Sequence, residues 1–202
     1  MRKILLVLFC IFSVFCYSQK IEKYDTIITL QTYKSYYSYT LESPSFVIYK
    51  LYKGGGNISR NKLNFVKYNK LPHFNYSKSG YDKGHLCNAE DMANDSVKLK
   101  ETFYYINCIP QTPNLNRSAW NTNERNIRDI SQVDSLIIIC GGCDWNNNIP
   151  QNCFKIVYSL TTKKCIQCYI FTNNDNSVIK SSPELKTKYT YSKIISLYNK
   201  TK

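Results

Sequence analysis
The order of elements along this chain predicts an α+β fold. Three observations carry the expectation. Runs rich in Thr, Ile and Tyr fill residues 25–53, a segment of helical period begins near Asn114, and three apolar, β-branched runs follow between residues 135 and 172.

Taken in order, Arg2 and Lys3 precede an apolar run from Ile4 to Phe15 that is too short to cross a bilayer as a helix. With the polar break at Tyr17-Ser18-Gln19 it reads as a signal peptide over residues 1–18, leaving 19–202 as a single domain. Export follows from that reading, to the periplasm or as a secreted protein. Lipid anchoring at Cys16 would want a small residue just before it, and Phe15 is bulky. No later apolar run approaches the length of a membrane helix, so no stable membrane insertion is expected.

The first strands break near Ser43-Pro44, and "SFVIYKLYK" alternates apolar and polar most clearly. Gly54-Gly55-Gly56-Asn57 ends this region as a loop, and residues 58–84 form a long irregular connection punctuated by Pro72 and Gly80. Glu90 to Tyr105 is partly helical in pattern, and "YYINCIPQ" reads as a short strand stopped by Pro110. In "NLNRSAWNTNERNIRDI" the residues Leu115, Ala119, Trp120, Ile127 and Ile130 fall on one helix face. "SLIIICGG", "CFKIVYSL" and "KCIQCYIFT" are strands, with Thr161-Thr162-Lys163-Lys164 as the turn between the last two. "SKIISLYNK" is a short helix near the end.

Charge narrows the partners. The chain has 27 Lys+Arg against 14 Asp+Glu, and its net charge of +13 falls by two, to +11, when Arg2 and Lys3 leave with the leader. Such a balance favours polyanions: nucleic acid, acidic glycans or anionic membranes. Cys87, Cys108, Cys140, Cys143, Cys153, Cys165 and Cys168 lie beyond the leader, and in an exported chain they imply disulfide bonds with one thiol left over. Cys140-Gly-Gly-Cys143 and Cys165-Ile-Gln-Cys168 also match a two-knuckle zinc pattern. The strand context of "KCIQCYIFT" opposes zinc, because residues three apart on a strand point to opposite faces.

The chemistry centres on His85 in "SGYDKGHLCNAEDM", one of two histidines. An isolated histidine is most simply a half-buried group bonded to backbone. Here Lys83 lies two residues away, on the same side of an extended chain, and Gly84 allows close approach. A neutral imidazole beside a cation can take a proton from water while the cation faces a phosphate. On the expected helix, Asn116, Trp120, Glu124 and Arg128 recur every four residues, each step advancing about 40° and 6 Å. That stripe is either a solvated face with a Glu124–Arg128 pair, or an amide, a carboxylate and a guanidinium offered to one site.

Read together, "SGYDKGHLCNAEDM" and "NCIPQTPNLNRSAWNTNE" resemble the DNA/RNA non-specific endonucleases, metal-dependent enzymes of the ββα-metal superfamily. Asp82, Gly84 and His85 match the Asp-Arg-Gly-His marker, and Asn107, Pro110, Gln111, Leu115, Asn116, Trp120 and Glu124 match the rest in order. The resemblance is densest from Arg60 to Arg128. It implies a ββα-metal nuclease core with a central, mainly antiparallel sheet flanked by helices. The activity it implies is metal-dependent hydrolysis of phosphodiester bonds in DNA and RNA, leaving 5′-phosphate ends.

By the same resemblance, His85 is the general base and Asn116 the direct ligand of Mg²⁺, or of Mn²⁺ in its place. Glu124 is a carboxylate reaching the metal through water, Arg128 stabilises the phosphate, and Arg60 is the upstream substrate-binding arginine. Lys83 stands where the marker has arginine, which keeps the charge and loses the two-pronged grip on phosphate. Activity is expected to survive this change, at a reduced level. Cys87 stands where a small residue is usual, and a Cys87–Cys108 disulfide would brace the site. The alternative function is a polyanion-binding protein on the same scaffold, weak or inactive as a catalyst. An inhibitor protein and a homodimer are both left open as partners.

Overall fold
The computed structural model describes residues 20–21 and 23–201, so the expected leader lies outside the described residues. In chain order come β1 (Thr26–Thr29), β2 (Tyr33–Ser38), β3 (Ser43–Leu51), β4 (Asp82–His85), α1 (Ser96–Glu101), β5 (Cys108–Gln111) and α2 (Asn121–Ser131). They are followed by β6 (Leu136–Asn146), β7 (Ile149–Ser159), β8 (Cys165–Thr172), β9 (Ile179–Ser181), α3 (Pro183–Lys188) and α4 (Tyr191–Asn199). Seven strands pair antiparallel in the order β1-β2-β3-β6-β7-β8-β9, while β4 and β5 form a separate antiparallel pair. The α+β expectation holds.

Both faces of the large sheet are covered, which is why its central strands read as unbroken apolar runs. On one face Val47, Tyr49, Leu51, Leu136, Ile138 and Cys140 pack with Leu86 just after β4, Ile109 of β5, and Leu115, Trp120 and Ile127 of the helix. On the other, Phe46, Ile48, Ile137, Ile139, Phe154 and Ile156 pack with Leu185, Tyr189, Ile194 and Leu197 from α3 and α4. Alternating residues of one strand therefore serve two cores.

Several expectations shift for identifiable reasons. The chain does break before Ser43, but Pro44 lies inside β3, opposite Tyr37, where the β2–β3 register slips and a missing N–H is tolerated. Likewise Pro110 does not stop its strand: β5 continues to Gln111, because it pairs on one side only and proline needs no partner on the other. The helix expected from Asn114 does start there, being helical from Pro113, but it runs as π-helical turns over Leu115–Trp120 before becoming α-helical. The β6–β7 hairpin turns on Asn147 and Asn148, both at positive φ, the geometry a two-residue turn between twisted strands favours. Gly56, at φ +150°, sits so close to the Ala93 carbonyl that a side chain would collide with the backbone there.

The cysteine expectation is overturned. Cys87, Cys108, Cys140, Cys143, Cys153, Cys165 and Cys168 are all free thiols, six of them buried, including the Cys87 and Cys108 expected to brace the site. They act as small apolar residues: Cys87, Cys140 and Cys153 belong to one core, Cys143 and Cys168 to the other. Zinc fails for the same reason, since Cys140 and Cys143 lie on opposite faces of β6. A β-bulge at Val157/Tyr158 places Ile166 as an extra residue, so Cys165 and Cys168 do share a face, contrary to simple alternation. Even so, no cluster of three or more His, Cys, Asp or Glu side chains among the described residues could hold a metal. Burial pushes the Cys108, Cys140 and Cys153 thiols up to about 12, which keeps them protonated and unreactive at neutral pH. Alkylation in denaturant without reductant should therefore modify all 7 thiols between residues 20 and 201, as read by intact mass. Pairs of thiols resistant to alkylation until reduction would contradict these unpaired cores.

Candidate active site
β4 and β5 bring Asp82 opposite Gln111 and His85 opposite Cys108. The pairing is tight: a side chain on Gly84 would run into that of Gln111, so the glycine serves strand packing. Beyond β4, the buried Asn107 amide locks the chain, accepting from the Cys87 N–H at 2.8 Å and donating to the Cys87 and Thr102 carbonyls at 2.8 and 2.9 Å. The indole of Trp120 donates to the His85 carbonyl at 3.2 Å, tying the helix to the strand. Asn107 and Trp120 thus hold the backbone that presents His85.

An open groove of about 880 Å³ and a smaller cavity of about 220 Å³ share three wall residues, Arg60, His85 and Asn116. The His85 ring packs against Phe65 and Phe103, at centroid distances of 4.6 and 5.0 Å. Its Nε2 is buried and has no hydrogen-bond partner. Burial, and then the nearby Arg60 charge, push the imidazole pKa down from 6.5 to about 3, so the ring is neutral at physiological pH. Lys83 shares the groove wall, its ammonium 5.7 Å from the Tyr105 ring and 5.8 Å from Phe65.

Asn116 lies in the π-helical turns and donates through Nδ2 to Asp82 Oδ2 at 3.0 Å. Anchoring its NH₂ makes the amide oxygen the atom left to bind a cation. Arg117 grips both Asp82 oxygens at 2.8 Å, which holds that carboxyl below its usual range against the cost of its partial burial. Glu124 lines the smaller cavity from α2, with one oxygen 3.5 Å from Lys155 Nζ and the other hydrogen bonded to Asn88. Lys155, on β7, is fully buried, and its ammonium lies 3.9 Å from the centre of the Trp120 ring.

Arg128 goes elsewhere. It belongs to the walls of neither cavity, and it does not pair with Glu124. Its Nε donates to the buried Asp91 at 2.8 Å and its Nη2 to Asn88 Oδ1 at 3.2 Å. Burial pushes the Asp91 carboxyl up to about 7, with the Arg128 charge pulling the other way. Arg60 pairs with Glu90 at 3.1 Å, both side chains about half exposed, a weak contact that leaves the guanidinium available.

Of the candidates, Arg60, Lys83, His85 and Asn116 line the groove, Glu124 joins Arg60, His85 and Asn116 in the adjoining cavity, and Arg128 stands behind it. The residues not anticipated are Asn88, Asp91, Arg117 and Lys155. Only Lys155 carried a signal, as a lone charge between Phe154 and Ile156 in an apolar strand. As for a divalent cation, the donors here are an amide oxygen and a carboxylate on the wall of the smaller cavity. These are hard oxygen ligands, and with solvent completing the shell they fit Mg²⁺ better than zinc.

The family model for DNA/RNA non-specific endonucleases matches residues 14–199. Mitochondrial endonuclease G of Bos taurus is 33% identical over 75 residues, which make up 37% of this chain and 25% of that protein. A nuclease of Nostoc sp. is 39% identical over 67 residues, 33% of this chain and 24% of that protein. The aligned stretches thus span about a quarter of the length of these relatives. A chain in the crystal structure of the EndoG/EndoGI complex shares the fold, with a TM-score of 0.64 over 83% of this chain and 84% of that one at 20% identity. With residues 14–199 matched, this chain belongs to the DNA/RNA non-specific endonuclease family.

Proposed function
We propose that this protein is a metal-dependent endonuclease hydrolysing phosphodiester bonds of both DNA and RNA, with His85 as general base and Mg²⁺ held by Asn116. The observation that carries the reading is the unpartnered Nε2 of His85 at the junction of two cavities also walled by Arg60 and Asn116. A buried nitrogen with no protein partner is suited to a water that must lose a proton. Arg60 and Lys83 supply positive charge along the groove for the phosphate backbone, and no side-chain pattern there demands a particular base.

Asn116 would hold the cation directly and Glu124 through water; Mn²⁺ would suit the same oxygen donors. When bound, the cation would supply stabilisation of the charge on phosphorus and on the leaving 3′ oxygen. Lys155 and Asn88 fix the Glu124 carboxylate, and Arg128 acts at one remove by fixing Asn88 and Asp91. In this reading the chain is exported by its 1–18 leader and works as a single 19–202 domain.

The first test is cleavage of supercoiled plasmid and single-stranded RNA. Both should be degraded with Mg²⁺, both spared with EDTA, and both lost with His85→Ala in a folded protein, by a factor of about 10² or more. Intact substrate with Mg²⁺ and Mn²⁺ alike, together with retained binding in a gel shift, would leave only a polyanion binder.

The pH dependence of stability isolates His85. Its folded pKa of about 3 lies below the unfolded 6.5, so between these values the unfolded chain binds the extra proton. Its contribution is therefore whole above pH 6.5 and is lost as pH falls toward 3. Asp91, raised to about 7, contributes with the opposite sign, which makes the comparison with a variant necessary. In EDTA, the melting temperature should drop more between pH 7 and pH 4 in the wild type than in His85→Ala; equal drops would contradict a buried neutral imidazole.

Lys155 gives a separate check. Removing one partner of a buried ion pair strands the other, so Lys155→Met should cost about 3–5 kcal/mol in urea unfolding. The double variant Lys155→Met/Glu124→Gln should recover part of that loss; a fully additive pair would show that the two groups are not coupled.

A further inference from the structure
A series of ring contacts leads from His85 through Phe65 to rings on the groove wall. Phe65 lies 4.6 Å from the His85 ring and 5.7 Å from Tyr105, and Tyr105 stacks on His73 at 3.8 Å with the planes only 6° apart. Tyr76 extends the same stack, 6.0 Å from Tyr105 and 19° off parallel. His73, Tyr76 and Tyr105 are walls of the 880 Å³ groove, and all three are only half-buried. His73 is held in place by its Nδ1, which is 2.8 Å from the Phe74 carbonyl oxygen.

We infer that the His73–Tyr105 stack is a docking platform for one unpaired nucleobase of the substrate strand, beside the phosphate that His85 serves. The inference rests on the nuclease reading and deepens it. Ordered, parallel rings offer a π-face at little entropic cost, and stacking on them tolerates every base. Lys83 joins the platform to the phosphate path: its ammonium lies 5.7 Å from the Tyr105 ring. Asn61, Asn75 and Ser77 on the groove wall add neutral donors and acceptors of the kind that meet sugar hydroxyls and phosphate oxygens. A base inside a duplex has both faces covered by its neighbours and must unstack before it can lie on protein rings. Single-stranded DNA and RNA, and locally opened duplexes, are therefore the substrates this wall favours.

The test uses the full chain and oligonucleotides carrying one 2-aminopurine, whose fluorescence falls when the base stacks. In EDTA, which prevents cleavage on this reading, the wild type should quench the single strand more strongly than the matching duplex. His73→Ala should lose that difference, and with Mg²⁺ its KM for single strands should rise about tenfold while its KM for duplex changes little. His73→Phe, which keeps a flat ring, should restore both. Equal quenching and unchanged KM in His73→Ala would overturn the platform even if plasmid is still cut. Absence of any cleavage by the wild type would instead sink the nuclease reading itself, so the two failures are distinguishable.

Discussion
Lys155 places an ammonium group with no exposed surface beneath the helix that carries Asn116 and Glu124. A charge in that position must be neutralised where it sits, since the cost of leaving it unpaired is several kcal/mol. Glu124 answers it with one oxygen and gives the other to Asn88; Asn88 accepts from Arg128, and Arg128 ends on Asp91. The Trp120 face takes up the remaining side of the ammonium while its indole N–H reaches back to the His85 carbonyl. One buried cation thus sets the position of the carboxylate nearest the small cavity and, through Trp120, of the strand bearing His85.

That arrangement separates support from chemistry. The large sheet has two cores of different purpose: one is closed off by α3 and α4, the other is the bed on which the β4–β5 pair and α2 rest. Buried, protonated thiols fill gaps in both cores. His85, whose buried Nε2 has no hydrogen-bond partner, and Asn116, whose NH₂ is bound to Asp82, meet in the wall of the small cavity.

Family membership and fold agree with this arrangement. The EndoG/EndoGI comparison shows the fold kept at 20% identity, as expected where packing tolerates changes in most side chains. Asn107 and Trp120 are polar anchors here: both belong to the marker motif, and both hold backbone. A marker motif therefore mixes residues that brace a site with residues that fill it, and spacing alone does not sort them.

By itself the sequence determined the α+β order, the strand identity of the Val- and Ile-rich runs, and the candidates Arg60, Lys83, His85, Asn116 and Glu124. These were legible because apolar period and motif order are local properties of the chain. Tertiary structure alone decided the rest. Lys155 is 31 residues from Glu124 and Asp82 is 34 from Asn116, so no local pattern could pair them. The resemblance makes Arg128 a phosphate contact, whereas in the fold its guanidinium turns to the buried Asp91. Their number and the expected export predict disulfide partners for the cysteines, whereas in the fold all seven are free thiols, with Cys87, Cys140 and Cys153 in one core and Cys143 and Cys168 in the other. Strand parity failed at Cys165 and Cys168 because a single bulged residue, set by how β7 and β8 pair, reverses which face a side chain meets.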